Sequence, residues 1–130
     1  MKVLCSFVFG SLFGAAAVSV AIAVTQSETD PVKISPQYYT VRIDNDRVRV
    51  LEYRLGPGQK EPKHSHPPGI VYALSDAKVK VQTFPDGTVT VHDGHAGDLT
   101  WRDAITHSAE NMGTIEYRGI AVELKPCKQP

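Results

Sequence analysis

Short runs in which apolar and polar residues alternate recur along the chain from Gln37 onward. Val48 and Val50 alternate with arginines, and Val79 and Val81 alternate with lysines, which is typical of strands with one buried face. No stretch after residue 36 repeats apolar residues at the spacing of a helix. Many short strands separated by turn residues predict an all-β sandwich or barrel.

Turn-forming residues divide this region into separate strands. Asn45-Asp46 marks one turn, and Pro85-Asp86-Gly87 predicts a hairpin between two alternating segments. The alternation slips at Val50-Leu51, which predicts a β-bulge there. The pattern places strands at residues 38–43, 47–52, 70–74, 78–82, 88–92, 98–101 and 115–124.

The first two dozen residues differ from the rest of the chain. Lys2 is followed by an uncharged apolar segment, residues 3–24, which contains the small-x-small sequence Ala21-Ile22-Ala23. This layout is that of a secretory signal peptide at residues 1–23, with cleavage predicted after Ala23 and a periplasmic or secreted product. An uncleaved anchor is the alternative, since the segment is long enough to span a bilayer.

The rest of the chain is interpreted as one domain with short flanking segments. We predict a polar linker at residues 24–36, a single folded domain at 37–125 and a C-terminal tail at 126–130. After cleavage Cys127 is the only cysteine, so no internal disulfide is possible. The formal net charge is +0, which does not indicate a nucleic-acid partner, and the cleaved protein would have no membrane segment.

Two closely spaced histidines are the first candidates for chemistry. His64 and His66 flank Ser65 in the sequence HSH, among prolines and glycines. In an extended segment residues two apart project to the same side, so both imidazoles would face one space and Ser65 the other. Two convergent imidazoles form half a site for Fe²⁺, Zn²⁺, Mn²⁺ or Ni²⁺. A surface loop with two unrelated histidines is the alternative.

The surroundings of this pair resemble the first motif of the cupin family, because Gly58 stands six residues before His64. The later segment GHAGDLTWRDAITHSAEN is similar to the second cupin motif, with Gly97-Asp98 before an apolar strand and His107 four residues before Asn111. The chain also resembles small single-domain bacterial cupins, some linked by name to β-alanine degradation. The resemblance covers roughly residues 48–124.

The resemblance implies a double-stranded β-helix, or jelly-roll barrel, with metal ligands inside it. His107 would then be the third ligand beside His64 and His66. The glutamate that cupins usually carry after HxH is missing, since residues 69–71 contain no carboxylate, and Arg102-Asp103-Ala104 replaces the usual Pro-x-Gly. The implied site is three neutral histidines, which resembles cupin thiol dioxygenases and also catalytic zinc sites. The resemblance further implies a homodimer.

Other residues in or near the motifs have ordinary structural interpretations. We interpret Glu61 and Glu110 as solvated carboxylates, with a distant metal ligand or a base beside the ligands as the alternative. Tyr53, Tyr72 and Trp101 are interpreted as core or rim packing, with a substrate box as the alternative. His92 and His95 are interpreted as surface residues, with a ligand role as the alternative for His95. Arg102 and Asp103 are interpreted either as an exposed ion pair or as groups that orient other side chains or an anionic substrate. No catalytic residue and no organic cofactor is indicated by the sequence.

Three functions are compatible with this sequence. The first is an exported metal-dependent enzyme that acts on a small metabolite by oxygenation, isomerisation or hydrolysis. The second is a non-catalytic protein that binds a metal or a small ligand with the same barrel, and the third is a barrel without metal. Three ligand positions together favour metal over an empty barrel, but the fold does not separate an enzyme from a binding protein.

Overall fold

The computed structural model describes residues 28–127. In this range the chain forms the helix α1 (Pro31–Ile34) and the strands β1 (Tyr39–Asp44), β2 (Val48–Leu55), β3 (Lys60–His66), β4 (Gly69–Ala73), β5 (Ala77–Thr83), β6 (Val89–Gly94), β7 (Leu99–Arg102), β8 (Ile105–Asn111) and β9 (Tyr117–Leu124). The predicted signal peptide lies outside the described residues. Within residues 28–127, no helix has the length and apolar character that crossing a membrane requires.

The strands form two antiparallel sheets, which confirms the all-β prediction. One sheet has the order β1-β2-β9-β4-β7 and the other the order β3-β8-β5-β6. Leu51 and Ala121 pack together on the inner face of the five-stranded sheet. Leu55 of that sheet packs against Val79 and Ala109 of the four-stranded sheet. The apolar core therefore lies between the sheets, as in the double-stranded β-helix that the resemblance implies.

The buried face of β2 differs from the prediction. Arg49 and Leu51 are 8% and 0% exposed, whereas Val48 and Val50 are half-buried. The arginine can face inward because it meets carboxylate partners there, which offset the cost of burying its charge. The pairing of β1 with β2 does contain a bulge at Val50 and Leu51, but the bulge is on the other strand. The extra residue is Arg42 of β1, between Val41, which pairs with Leu51, and Ile43, which pairs with Val50.

Two strands, β3 and β8, are absent from the predicted set. Most of their inward positions carry polar side chains, namely Glu61, His64 and His66 on β3 and His107 and Asn111 on β8, whereas Ala109 between the last two is apolar. Because polar residues occupy both faces, neither strand shows the apolar alternation from which the other strands were predicted. The polar interior of these two strands is also where the candidate site lies.

Part of the predicted linker belongs to the folded domain. Asp30 begins α1 by accepting a hydrogen bond from the backbone N–H of Val32 at 2.9 Å. Its other oxygen forms an ion pair with Arg49 at 2.7 Å, and Pro31 and Ser35 are buried. Polar composition predicted a linker here, but residues 30–35 pack against the barrel because Asp30 pairs with a charge inside it.

Asn111, at the end of β8, ties three segments together. Its amide nitrogen donates to the carbonyl oxygens of Leu55 and Ile115, each at 2.8 Å, and its amide oxygen accepts from the N–H of Gly113 at 2.8 Å. Gly58, the glycine of the first motif, has φ +71° and donates its N–H to the Asn111 carbonyl at 2.9 Å. The residues that carry the resemblance therefore fix the turns around the site strands.

Candidate metal centre

Strands β3 and β8 bring the three predicted ligands together. His64 pairs directly with His107 across the antiparallel ladder, and His66 lies two residues further along β3 on the same face. The ring centroid of His64 is 4.7 Å from that of His66 and 4.5 Å from that of His107. One ring nitrogen from each histidine lies within 4.8 Å of the others. The predicted convergence of the three rings is confirmed.

Hydrogen bonds orient two of the rings. His64 Nδ1 is 2.8 Å from the carbonyl oxygen of Pro62, and His66 Nδ1 is 2.7 Å from Glu123 Oε1. A carbonyl and an ionised carboxylate only accept, so each Nδ1 carries the proton and each Nε2 presents a lone pair. The two Nε2 atoms are 2.9 Å apart. Two ligands bound to one ion at about 2.0–2.2 Å are separated by a similar distance, about 3.0–3.4 Å.

The third ring has no partner of its own. Both ring nitrogens of His107 are buried, and neither has a hydrogen-bond partner among the described residues. Leaving such nitrogens unpaired is costly, and a cation between the three rings would bind the one His107 nitrogen that carries a lone pair. The orphaned nitrogens and the two facing Nε2 lone pairs therefore fit a divalent metal ion held by His64, His66 and His107.

Burial keeps these imidazoles neutral. It lowers the pKa of His66 and of His107 to about 2, and the nearby Arg102 charge acts in the same direction. Burial also lowers the pKa of His64 from its ordinary value. Neutral imidazole is the form that binds zinc, iron, manganese or nickel, so the donors do not have to lose protons before an ion enters.

A chain of buried charges stands behind His66. Glu123, which accepts the His66 proton with one oxygen, accepts from Arg49 Nε at 2.7 Å with the other. Arg49 Nη1 in turn donates to Asp30 at 2.7 Å. The three charged residues are 1%, 8% and 6% exposed, respectively. Such outer partners fix the tautomer and direction of a metal-binding ring.

Glu61 was predicted to be a solvated carboxylate, and this prediction is wrong. The residue is 2% exposed and accepts a hydrogen bond from the Tyr53 hydroxyl at 3.1 Å. Its other oxygen lies 3.4 Å from His64 Nδ1 and has no hydrogen-bond partner. Burial raises the pKa of Glu61 to about 7, although the nearby Tyr39 and Tyr53 hydroxyls oppose the shift. A break in register between Glu61 and His64 turns the carboxyl inward.

Tyr39 of β1 completes the surroundings of the histidines. Its hydroxyl oxygen lies 3.4 Å from His64 Nε2 and 3.5 Å from His66 Nε2. Burial, reinforced by the charge of Glu61, raises the pKa of Tyr39 well above its ordinary value. The side chain is therefore a neutral phenol, which can donate a hydrogen bond toward the centre of the site.

A cavity of about 310 Å³ opens between the sheets beside the histidines. Its walls are largely apolar and include Val71, Val79, Val81, Ala109, Ile120 and Ala121. Among the polar side chains that line it are Tyr39, Glu61, Arg102, His66 and His107. This volume is at the lower end of the roughly 300–1,000 Å³ of ligand pockets, so the cavity suits a small molecule.

The remaining predicted residues have mixed outcomes. His92 and His95 are exposed as predicted, although His92 also reaches the cavity rim. Trp101 is 56% exposed, and its indole N–H donates to Asp103 at 2.8 Å. The interpretation of Arg102 as half of an exposed ion pair is wrong, because its side chain is only 16% exposed and lines the cavity. The other interpretation, a group that orients an anionic molecule, stays open.

Sequence reasoning missed Glu123, Arg49 and Tyr39. A signal exists for the first two, since each charged residue occupies an inward strand position, Glu123 in phase with Ala121 and Arg49 in phase with Leu51. A charge in the apolar phase of a strand indicates a buried partner. Tyr39 gives no such signal, because an aromatic residue in a strand is most simply explained as core packing.

Fold and site together define the class: a double-stranded β-helix with a histidine cluster facing its interior cavity. No protein-family model matches the sequence, and no curated protein matches it. A cupin domain from Bordetella pertussis Tohama I is 28% identical with a TM-score of 0.62, over 68% of this chain and 92% of that one.

Two further solved structures show the same fold. A protein with a double-stranded β-helix domain from Klebsiella pneumoniae is 22% identical with a TM-score of 0.54, over 77% of this chain and 80% of that one. A cupin superfamily protein from Desulfitobacterium hafniense is 12% identical with a TM-score of 0.52, over 68% and 76%. The chain is a small protein of the cupin superfamily. The finer resemblance to the β-alanine-degradation group stays a prediction.

Proposed function

We propose that this protein binds one divalent metal ion through His64, His66 and His107 and acts as an enzyme on a small molecule in the adjoining cavity. The observation that carries the proposal is the set of ring nitrogens. Two Nε2 lone pairs face each other at 2.9 Å, and both nitrogens of His107 are buried without a partner. The Tyr39 hydroxyl, 3.4 and 3.5 Å from the two Nε2 atoms, has one proton to donate and cannot satisfy both, and no group in the described range reaches His107. One cation would accept a lone pair from each of the three rings.

The ligand set suggests what the ion would supply. A dication held by three neutral imidazoles keeps its full charge and open positions, so it can act as a Lewis acid or, as iron, in redox chemistry. The chain itself contributes a confined volume, the Tyr39 hydroxyl as a donor, and a Glu61 carboxyl with one unpaired oxygen. Groups able to hold and give protons beside a metal favour an enzyme over the alternative, a non-catalytic binding protein.

Elemental analysis of the protein purified without added metal tests the metal site. We expect about one ion of iron, zinc, manganese or nickel per chain, because the three ring nitrogens already lie within 4.8 Å of one another and two of the rings are held by hydrogen bonds. Oxygen-consumption assays with thiols and β-amino acids then test the enzyme against the binding protein. A chain that holds no ion, even after dialysis against each of the four metals, would contradict the proposal.

Export and assembly extend the proposal. The pattern of residues 1–23 supports a periplasmic or secreted location, and cupin resemblance supports a homodimer. On neighbouring strands β4 and β7, Tyr72, Leu99 and Trp101 are 43%, 70% and 56% exposed, and burying them would favour pairing. Light scattering of the cleaved protein should then give twice the chain mass, and Trp101→Lys should shift it toward one chain mass. A monomer at all concentrations would contradict the dimer.

A further inference from the structure

Arg102 presents two hydrogen-bond donors that no group in the described chain uses. It ends β7 and lines the cavity, and its Nε and Nη2 atoms are buried without a hydrogen-bond partner. The carboxylate oxygen Glu123 Oε1 is 3.9 Å from Nη2, beyond hydrogen-bond distance, and already accepts from His66. A buried guanidinium that lacks acceptors is costly, so its retention needs an explanation from outside the chain.

The two unused donors share one edge of the guanidinium plane. This edge binds a carboxylate side-on, with two nearly parallel N–H bonds. The same edge of another arginine binds a carboxylate in this chain, since Nε and Nη2 of Arg54 both donate to one oxygen, Glu52 Oε1, at 3.0 and 2.8 Å. Arg102 therefore presents to the cavity the same pair of donors that the half-exposed Arg54 uses for Glu52.

The charges around the cavity favour an anion. Asp30 and Glu123 are matched in number by Arg49 and Arg102, so these four buried side chains sum to zero. A dication at the three histidines would add two positive charges, and the only buried carboxylate among the described residues that line the cavity is Glu61, since Asp98 is 54% exposed to solvent. Most of the wall surface is apolar, and uncompensated charge in such surroundings attracts a counter-charge.

We propose that Arg102 anchors the carboxylate of a small aliphatic carboxylic acid whose apolar body lies along the valine-lined wall toward the histidines. This names the substrate class of the proposed metal site and rests on that proposal for the role of the ion. The anchor itself needs only Arg102 and the cavity. The planar, two-oxygen carboxylate matches the paired donors, and a cavity of about 310 Å³ accommodates a chain of a few carbons.

Butyrate and its neutral isostere butyramide are the probes. Binding to the protein of residues 24–130 is followed by amide chemical-shift titration, with and without Zn²⁺, for wild type, Arg102→Gln and the control Arg54→Gln. We expect butyrate to bind about 10- to 100-fold more weakly to Arg102→Gln, because a pair of charge-assisted hydrogen bonds is lost. Arg54→Gln should bind butyrate with the wild-type affinity, since Arg54 is half exposed and is not among the residues that line the cavity. Butyramide should bind wild type no better than butyrate binds Arg102→Gln.

Several results would overturn the anchor: equal butyrate affinity in wild type and Arg102→Gln, equal affinity of wild type for butyramide, or no binding of butyrate at all. If Arg102→Gln does not fold, Arg102→Lys replaces it in the experiment. Lysine keeps the positive charge but lacks the planar pair of N–H donors, so the affinity for butyrate should fall about tenfold. Zinc affinity is measured on the same samples. If the protein binds no zinc but its butyrate affinity still depends on Arg102, the metal site alone is contradicted. If the protein binds zinc but its butyrate affinity does not depend on Arg102, the anchor alone is contradicted.

Discussion

Replacing His107 with alanine should reduce the metal content from about one ion per chain to a small fraction of an ion per chain. Structural zinc sites bind with roughly 10–16 kcal/mol over four ligands, so one ligand accounts for about 3 kcal/mol, or about a 100-fold loss of affinity. The loss should be this large because His64 and His66 would be left as a two-ligand site. Competition with a chromogenic chelator measures the zinc affinity of both proteins directly.

The exposed His92 supplies the matched control, because it carries the same side chain but lies at the cavity rim. His92→Ala should keep the wild-type metal content and affinity. Metal retained in full by His107→Ala would mean that the ion, if one binds, is held by other residues. Circular dichroism at equal concentration shows whether each variant keeps its β-structure.

Replacing Arg49 with alanine should lower the free energy of unfolding by about 3–5 kcal/mol. Arg49 is 8% exposed and forms ion pairs at 2.7 Å with both Asp30 and Glu123. Its removal leaves two buried carboxylates without the positive charge between them, and neither can reach water while the barrel is closed. Urea denaturation of the metal-free protein measures the change, with no contribution from bound metal.

Arg54→Ala is the control for this change. Arg54 also pairs with a glutamate, but its side chain is 50% exposed and Glu52 keeps a second partner in Arg42. The expected loss is therefore below about 1 kcal/mol. Equal effects of the two substitutions would show that the inner chain of charges adds nothing to stability beyond an ordinary surface pair.

The sequence predicted those parts of the fold in which burial follows apolar character. β5 is an example, since Val79 is buried and alternates with lysines. The hairpin at Pro85-Asp86-Gly87 was predicted from turn chemistry, and Gly87 has φ +74°. The three histidines were also found, two by their spacing within one strand and the third through the resemblance. In each case a local pattern of a few residues held the information.

The parts that could not be predicted depend on contacts between distant segments. Arg49 is inside because Glu123, 74 residues away in sequence, and Asp30 meet it there. Glu61 is inside because the register of β3 breaks between Glu61 and His64. The two residues are three positions apart, so in an unbroken strand they would face opposite sides. A single sequence shows the alternation of side chains along a strand. It does not show where a bulge interrupts that alternation, nor which charged residue pairs with another in the fold.

The position of Asp30 sets where the working protein begins. Trimming the chain to residue 37, the start suggested by composition, would remove the carboxylate that neutralises Arg49. Glu123 would then be the only carboxylate that pairs with Arg49, and Glu123 is also the group that accepts the hydrogen bond from His66 Nδ1. The shortest version fit for biochemical work therefore starts before Asp30, and residues 30–35 support the three-histidine cluster as much as the barrel does.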